Sequence, residues 1–161
     1  MSNTSKLIIA ITIPLLIGFI GGGFTASEIP GWYAKLNKPG WQPPNWLFGP
    51  VWTALYILMG IALYLVWKAD VSSSKKQTAI ILFAVQLILN FFWSIIFFNQ
   101  HQIGWALVEI IVLWLFILLT IFSFSKINNT AAWLLVPYIS WVSFAAILNY
   151  AIWKLNTAPI P

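Results

Sequence analysis

Five runs of mostly apolar residues dominate the chain, approximately Lys6–Ala26, Trp46–Trp67, Gln77–Asn99, Gly104–Phe124 and Ala131–Trp153. A helix rising 1.5 Å per residue needs about 20 such residues to cross a hydrocarbon layer of roughly 30 Å, and each run is long enough. With 61% of residues apolar and 7% charged, the segments between the runs are too short to build a soluble domain. The expected fold is an all-α integral membrane protein. It is a bundle of five transmembrane helices in one domain, residues 1–161, with a long lid loop between helices 1 and 2 at about residues 27–45. The first run exceeds a signal-peptide core and ends in GGGFTASE, not a small-x-small cleavage site, so it reads as a permanent helix.

Several function classes are excluded early. The net charge is +5, but the lysines are dispersed and arginine is absent, so no nucleic-acid partner is expected. Five lysines (Lys6, Lys68, Lys75, Lys76, Lys126) fall on one side of a five-span topology and three (Lys35, Lys38, Lys154) on the other, which favours a cytoplasmic N-terminus. The chain has no cysteine, His101 is its one histidine and Met59 its one internal methionine. Neither a paired haem ligand set nor a three-ligand metal site can be assembled from them. No metal and no obligatory cofactor are expected, and no nucleophile–base pair for hydrolysis is visible.

The helices carry polar and small residues at telling intervals. Gly18 and Gly22 are four apart, a spacing that serves either dimerisation or close packing within the bundle. Pro14 removes one hydrogen bond from the same helix and should bend it. Gln86, Asn90, Trp93 and Phe97 share one face of the third helix, as interhelical glue or as the lining of a pocket. Trp141, Ala145, Leu148 and Ile152 share a face of the fifth, which suits packing or a binding wall. Glu109 is the acid embedded in a span, a functional candidate by position and equally an anchor near a helix N-terminus.

The first connector, WYAKLNKPGWQPPNWLFGPVW from Trp32 to Trp52, holds four tryptophans, four prolines and two lysines. Pro30, Pro39, Pro43 and Pro44 stiffen it, KPG suggests a tight turn, and its length suits a lid. An interfacial aromatic belt is the simpler use of such tryptophans, adequate for Trp41 or Trp46 but not for all four. The connector, the QHQI turn and the C-terminus share one side of the membrane. Counted from there at about 1.5 Å per residue, Trp52 and Glu109 lie within roughly 10 Å, Trp93 near 9 Å, Asn90 near 13 Å and Trp141 near 18 Å. Indoles and internal amides therefore gather beneath the lid.

These segments, with LNFFWSIIFF, GWALVEI and VPYISWVSFAAILNYAIWKLN, resemble the tryptophan-rich sensory protein and translocator protein family, also called the peripheral benzodiazepine receptor family. The resemblance covers almost the whole chain. It implies a five-helix bundle, often a homodimer, whose pocket under the first loop binds porphyrins, isoquinoline carboxamide and benzodiazepine drugs and, in some members, cholesterol. The pocket it implies comprises Tyr33, Pro43, Trp52, Asn90, Trp93, Trp105, Trp141, Phe144, Ala145 and Leu148. The sterol consensus falls on Leu148, Tyr150 and Lys154, with lysine where animal members have arginine. A bacterial-type short tail weakens the sterol reading, and the resemblance to a bacterial member makes a bacterial cell membrane the expected location.

A flat tetrapyrrole suits this inventory, since indole faces can stack on it and Lys35 and Lys38 can meet its propionates. Two function classes follow. One is a membrane receptor or sensor with protoporphyrin or a hydrophobic drug-like molecule as ligand. The other is an enzyme that degrades protoporphyrin in light and oxygen, using Trp52 and Trp141. A tetrapyrrole or sterol transporter is a third, although no inverted repeat is visible.

Overall fold

The computed structural model describes residues 2–157. They form six α-helices in chain order and no strand among the described residues: α1 (Asn3–Glu28), α2 (Asn45–Lys68), α3 (Ser73–Ser94), α4 (Ile103–Ser125), α5 (Asn129–Leu134) and α6 (Val136–Thr157). Five helical stretches are long and apolar enough to span a membrane, the fifth made of α5 and α6 together. The protein is thus a multi-pass integral membrane protein with the expected number of spans.

Helix ends follow local chemistry. Ser2 caps α1, its hydroxyl accepting from the Ser5 N–H at 3.1 Å, and Asn128 caps α5 by accepting from the Ala131 N–H at 3.0 Å. The fifth span is broken at Leu135, which the apolar pattern did not foretell. Pro137 supplies no N–H to continue the ladder and sits just inside the restarted helix, where its fixed φ is tolerated.

The expected lid boundary requires correction. α1 does not end near Ala26; it continues through a π-helical turn, Ile29–Tyr33, so the connector proper is residues 34–44. The wider turn shifts the hydrogen-bond register at Pro30, a residue that cannot donate, and lets the chain stay helical where a break was expected. A second π-helical turn, Ile95–Asn99, extends α3. It leads into a tight turn in which His101 adopts φ 57°, the sole positive φ among the described residues. Pro14 is buried within a continuous α1.

Each helix touches its neighbours in the ring α1–α2–α6–α4–α3, which closes back on α1, and α5 wedges between α2 and α4. The α1–α2 crossing is the tightest. A Cβ on Gly60 would lie 2.8 Å from the Ala10 carbonyl oxygen, and one on Gly18 would overlap the Tyr56 ring. Gly18 is therefore used for close packing within the bundle.

Candidate functional site: a tryptophan-walled cavity under the connector

Between the connector ends of α1, α2, α3 and α6 lies a cavity of about 910 Å³. Three indoles wall it. Trp52 stacks on Tyr56 with ring centroids 5.5 Å apart, and Trp93 stacks on Phe97 at 5.2 Å. Trp141 meets Phe48 edge-on at 5.9 Å. Tyr33 forms part of the wall beneath the connector, and Ala145 and Leu148 form the α6 side.

The helical register explains this grouping. On α2, Asn45, Phe48, Gly49, Trp52, Thr53 and Tyr56 recur at three- and four-residue intervals and all line the cavity. On α3, Asn90, Trp93 and Phe97 do the same, whereas Gln86 lies deeper and does not line it. The α3 stripe thus serves both uses left open by its spacing. Gln86 is interhelical glue, and the three residues nearer the connector are cavity wall.

Nearly every polar group at the floor is engaged. The Tyr56 hydroxyl donates to Asn90 Oδ1, Asn90 Nδ2 donates to the Tyr138 hydroxyl at 3.2 Å, and Tyr138 donates to Gln86 Oε1 at 2.8 Å. On the other flank, Trp93 Nε1 donates to Asn149 Oδ1 at 3.2 Å, and Asn149 Nδ2 donates to the Ile103 carbonyl at 2.9 Å. Burying these amides without partners would cost a few kcal/mol each, so the network fixes the helices that carry the indoles. The exception is Trp141, whose buried Nε1 has no partner among the described residues.

The connector is fastened over this space. Lys38 Nζ folds back to donate to the carbonyls of Tyr33 (2.7 Å) and Leu36 (2.9 Å), satisfying acceptors left free at the helix end. The Asn156 side chain grips Asn37 twice, accepting from its N–H at 3.0 Å and donating to its carbonyl at 2.9 Å. The expected tight turn is present, with Gln42 N–H bonded to the Pro39 carbonyl at 3.0 Å. Trp41 lies edge-on to Phe144 at 6.0 Å. Trp32 stacks on His101 at 4.2 Å, and His101 Nε2 is 3.1 Å from Glu28 Oε2. The four connector tryptophans therefore divide. Trp52 walls the cavity, Trp32 and Trp41 fasten the connector, and Trp46, 71% exposed, suits the headgroup belt.

Of the expected pocket residues, Tyr33, Trp52, Asn90, Trp93, Trp141, Ala145 and Leu148 line the cavity, and Pro43, Trp105 and Phe144 do not. Trp105, implied by the resemblance, is 69% exposed, on a helix that contributes nothing to the wall. Phe144 backs Trp141, with centroids 5.4 Å apart. Pro43 is half-buried in the connector. Lys38 is committed to backbone carbonyls, and Lys35 is exposed outside the lining. The sterol triplet does not form one surface: Leu148 faces the cavity, whereas Tyr150 is exposed with Lys154 Nζ over its ring at 5.9 Å. Glu109 lies outside the lining, and both its carboxylate oxygens are buried without partners among the described residues.

Sequence reasoning missed Phe48, Tyr56, Asn149 and Asn156. Phe48 and Tyr56 were findable, one turn either side of Trp52. Among the described residues there is no cluster of three metal-ligating side chains.

Comparison with known proteins agrees with this architecture. Residues 10–154 match the TspO/MBR family. The chain is 45% identical to the tryptophan-rich protein TspO of Archaeoglobus fulgidus, over 96% of this chain and 99% of that one. It is 41% identical to the translocator protein of Homo sapiens, over 89% and 85% of the two chains. It is 38% identical to the tryptophan-rich sensory protein of Cereibacter sphaeroides, over 78% and 77%. With five spans, a match along nearly its whole length and relatives of this similarity, the chain belongs to the TspO/MBR family.

Proposed function

We propose that the protein is a membrane receptor or sensor that binds a flat, largely apolar molecule, a porphyrin or an isoquinoline carboxamide or benzodiazepine-type compound, beneath the connector. One observation carries this reading: a cavity of about 910 Å³ walled by Trp52, Trp93 and Trp141, in which the amides are already hydrogen-bonded and the Trp141 N–H is not. Ligand pockets are commonly about 300–1,000 Å³, apolar, with a few placed polar groups. Such a wall offers ring faces for stacking and one donor for an acceptor on the ligand. No lysine lines the cavity, and Lys35, exposed on the connector, is the remaining candidate to meet the propionates of a porphyrin.

A second reading is light- and oxygen-dependent degradation of bound protoporphyrin. It is favoured by Trp52 and Trp141 lining the same cavity, since indoles are the most readily oxidised side chains there. Titrating protoporphyrin into protein in lipid nanodiscs, with tryptophan quenching followed in the dark and then under visible light, separates the two. Saturable dark quenching supports the receptor, and its absence refutes it. Light-driven loss of the porphyrin band, abolished in Trp52→Phe and Trp141→Phe while both still bind, supports the enzyme.

A further inference from the structure

We infer that the cavity is filled from within the bilayer, through a cleft between the connector-side halves of α1 and α2, and not through the connector from water. Helices α1 and α2 are locked together at Gly60 against Ala10 and Ile11, and again at Gly18 against Tyr56. Beyond that point they part. A Cβ placed on Gly22, Gly23 or Gly49 would meet nothing within 4 Å, although these residues line the cavity.

The wall continues onto the outer surface of α1. Phe19 lines the cavity and is 82% exposed, and Leu16 and Ile20 behave likewise. A side chain can do both only where the cavity is continuous with the lipid-facing surface. Gly22 lies about 16 Å below Tyr33 at 1.5 Å per residue, a depth inside the hydrocarbon. The mouth therefore opens to acyl chains and admits molecules that partition there.

The connector, in contrast, is held to α6 by Asn156 on Asn37 and by Trp41 against Phe144, and the helical turn before it is braced by Glu28 and Trp32 on His101. Opening it to water breaks both Asn37–Asn156 hydrogen bonds at once. The lateral cleft asks for no bond to be broken. This inference rests on the proposed function for the identity of the cargo; the route itself is read without any ligand.

The absence of cysteine makes the route measurable. Ala145→Cys places one thiol on the cavity wall and Gly40→Cys one on the connector, where open space surrounds it. Each is reacted, in nanodiscs, with N-phenylmaleimide and with a sulfonated maleimide of similar size. The ratio of apolar to sulfonated rate is expected to be at least about tenfold higher at Ala145→Cys than at Gly40→Cys, because a fixed charge is excluded from hydrocarbon. Adding Gly22→Leu and Gly49→Leu should slow the apolar reagent about fivefold or more, as close-packed passages are sensitive to added side-chain volume. Adding Asn156→Ala should leave that rate unchanged.

Equal ratios at the two cysteines overturn the inference. So does a faster apolar reaction on Asn156→Ala combined with indifference to the leucine pair. Should the leucine pair fail to fold, the ratio at Ala145→Cys decides alone. Because no ligand is used, failure here is distinct from failure to bind protoporphyrin.

Discussion

Replacing Asn90 by alanine and Tyr138 by phenylalanine, singly and together, tests whether the hydrogen-bonded floor is what fixes the cavity. Asn90→Ala removes two side-chain bonds, from Tyr56 and to Tyr138; Tyr138→Phe also removes two, from Asn90 and to Gln86. The double variant removes three, because the Asn90–Tyr138 bond is shared. Interhelical hydrogen bonds within membranes contribute on average about 0.6 kcal/mol and at most about 1.7 kcal/mol each, so either single variant should lose roughly 1–3 kcal/mol. The shared bond should then appear as a coupling energy of about 0.6–1.7 kcal/mol in the double-mutant cycle. The assay is reversible unfolding in mixed micelles or steric trapping in bilayers, read by the fluorescence of the cavity tryptophans. Trp52 is the sensitive reporter, stacked on Tyr56 and edge-on to Tyr138 at 6.1 Å. Strict additivity, within about 0.3 kcal/mol, would refute the argument that these two groups act as one network.

Three further outcomes are expected. Gly60→Ala places a methyl against the Ala10 carbonyl and Ile11; backbone cannot yield cheaply, so overpacking of about 1–3 kcal/mol should outweigh a helix-propensity gain of about 1 kcal/mol, and unchanged or raised stability in the unfolding assay argues against a tight crossing. Glu109→Gln keeps shape while replacing an unpartnered buried carboxylate with a neutral group, so thermal stability in detergent should hold or rise; a clear drop in Tm would reveal a partner for that carboxylate. Ala145→Thr adds two heavy atoms, one a hydroxyl, to the cavity wall, and should shift the Kd of an isoquinoline carboxamide by about fivefold or more, since overpacking against a bound ligand costs about 1–3 kcal/mol; an unchanged Kd in a folded variant removes that wall from the binding site.

The spans were legible because hydrocarbon makes a simple demand on length and polarity, and their depths followed from counting along the helices. That was enough to gather Trp52, Asn90, Trp93 and Trp141 in one layer. The azimuth of each helix was not legible to the same degree. In lipid the outer face is as apolar as the inner one, so periodicity cannot say which way Trp105 points. The resemblance placed it in the pocket, and rotation about α4 placed it outside. Proline misled for a related reason. Pro30 counted among the prolines that stiffen the connector, but the π-helical turn at Ile29–Tyr33 absorbs it into the first span, and the connector shrank accordingly. The latch between Asn37 and Asn156, 119 residues apart, belongs to tertiary structure alone, since either asparagine by itself is an ordinary polar residue near a helix end.

The first span carries a mechanical consequence. Its helical stretch, Asn3–Tyr33, has 31 residues, about 46 Å at 1.5 Å per residue, against a hydrocarbon layer of roughly 30 Å. Its apolar run, Lys6–Ala26, is 21 residues or about 32 Å, which matches the layer, so the surplus turns through Tyr33 stand beyond the hydrocarbon as a stiff post. Because this helix is also the least enclosed of the five spans and forms one wall of the cavity, a layer thinner than that run tilts it and changes the width between two helices. Acyl-chain length and temperature, which set membrane thickness, thereby act on the width of the chamber without touching whatever occupies it.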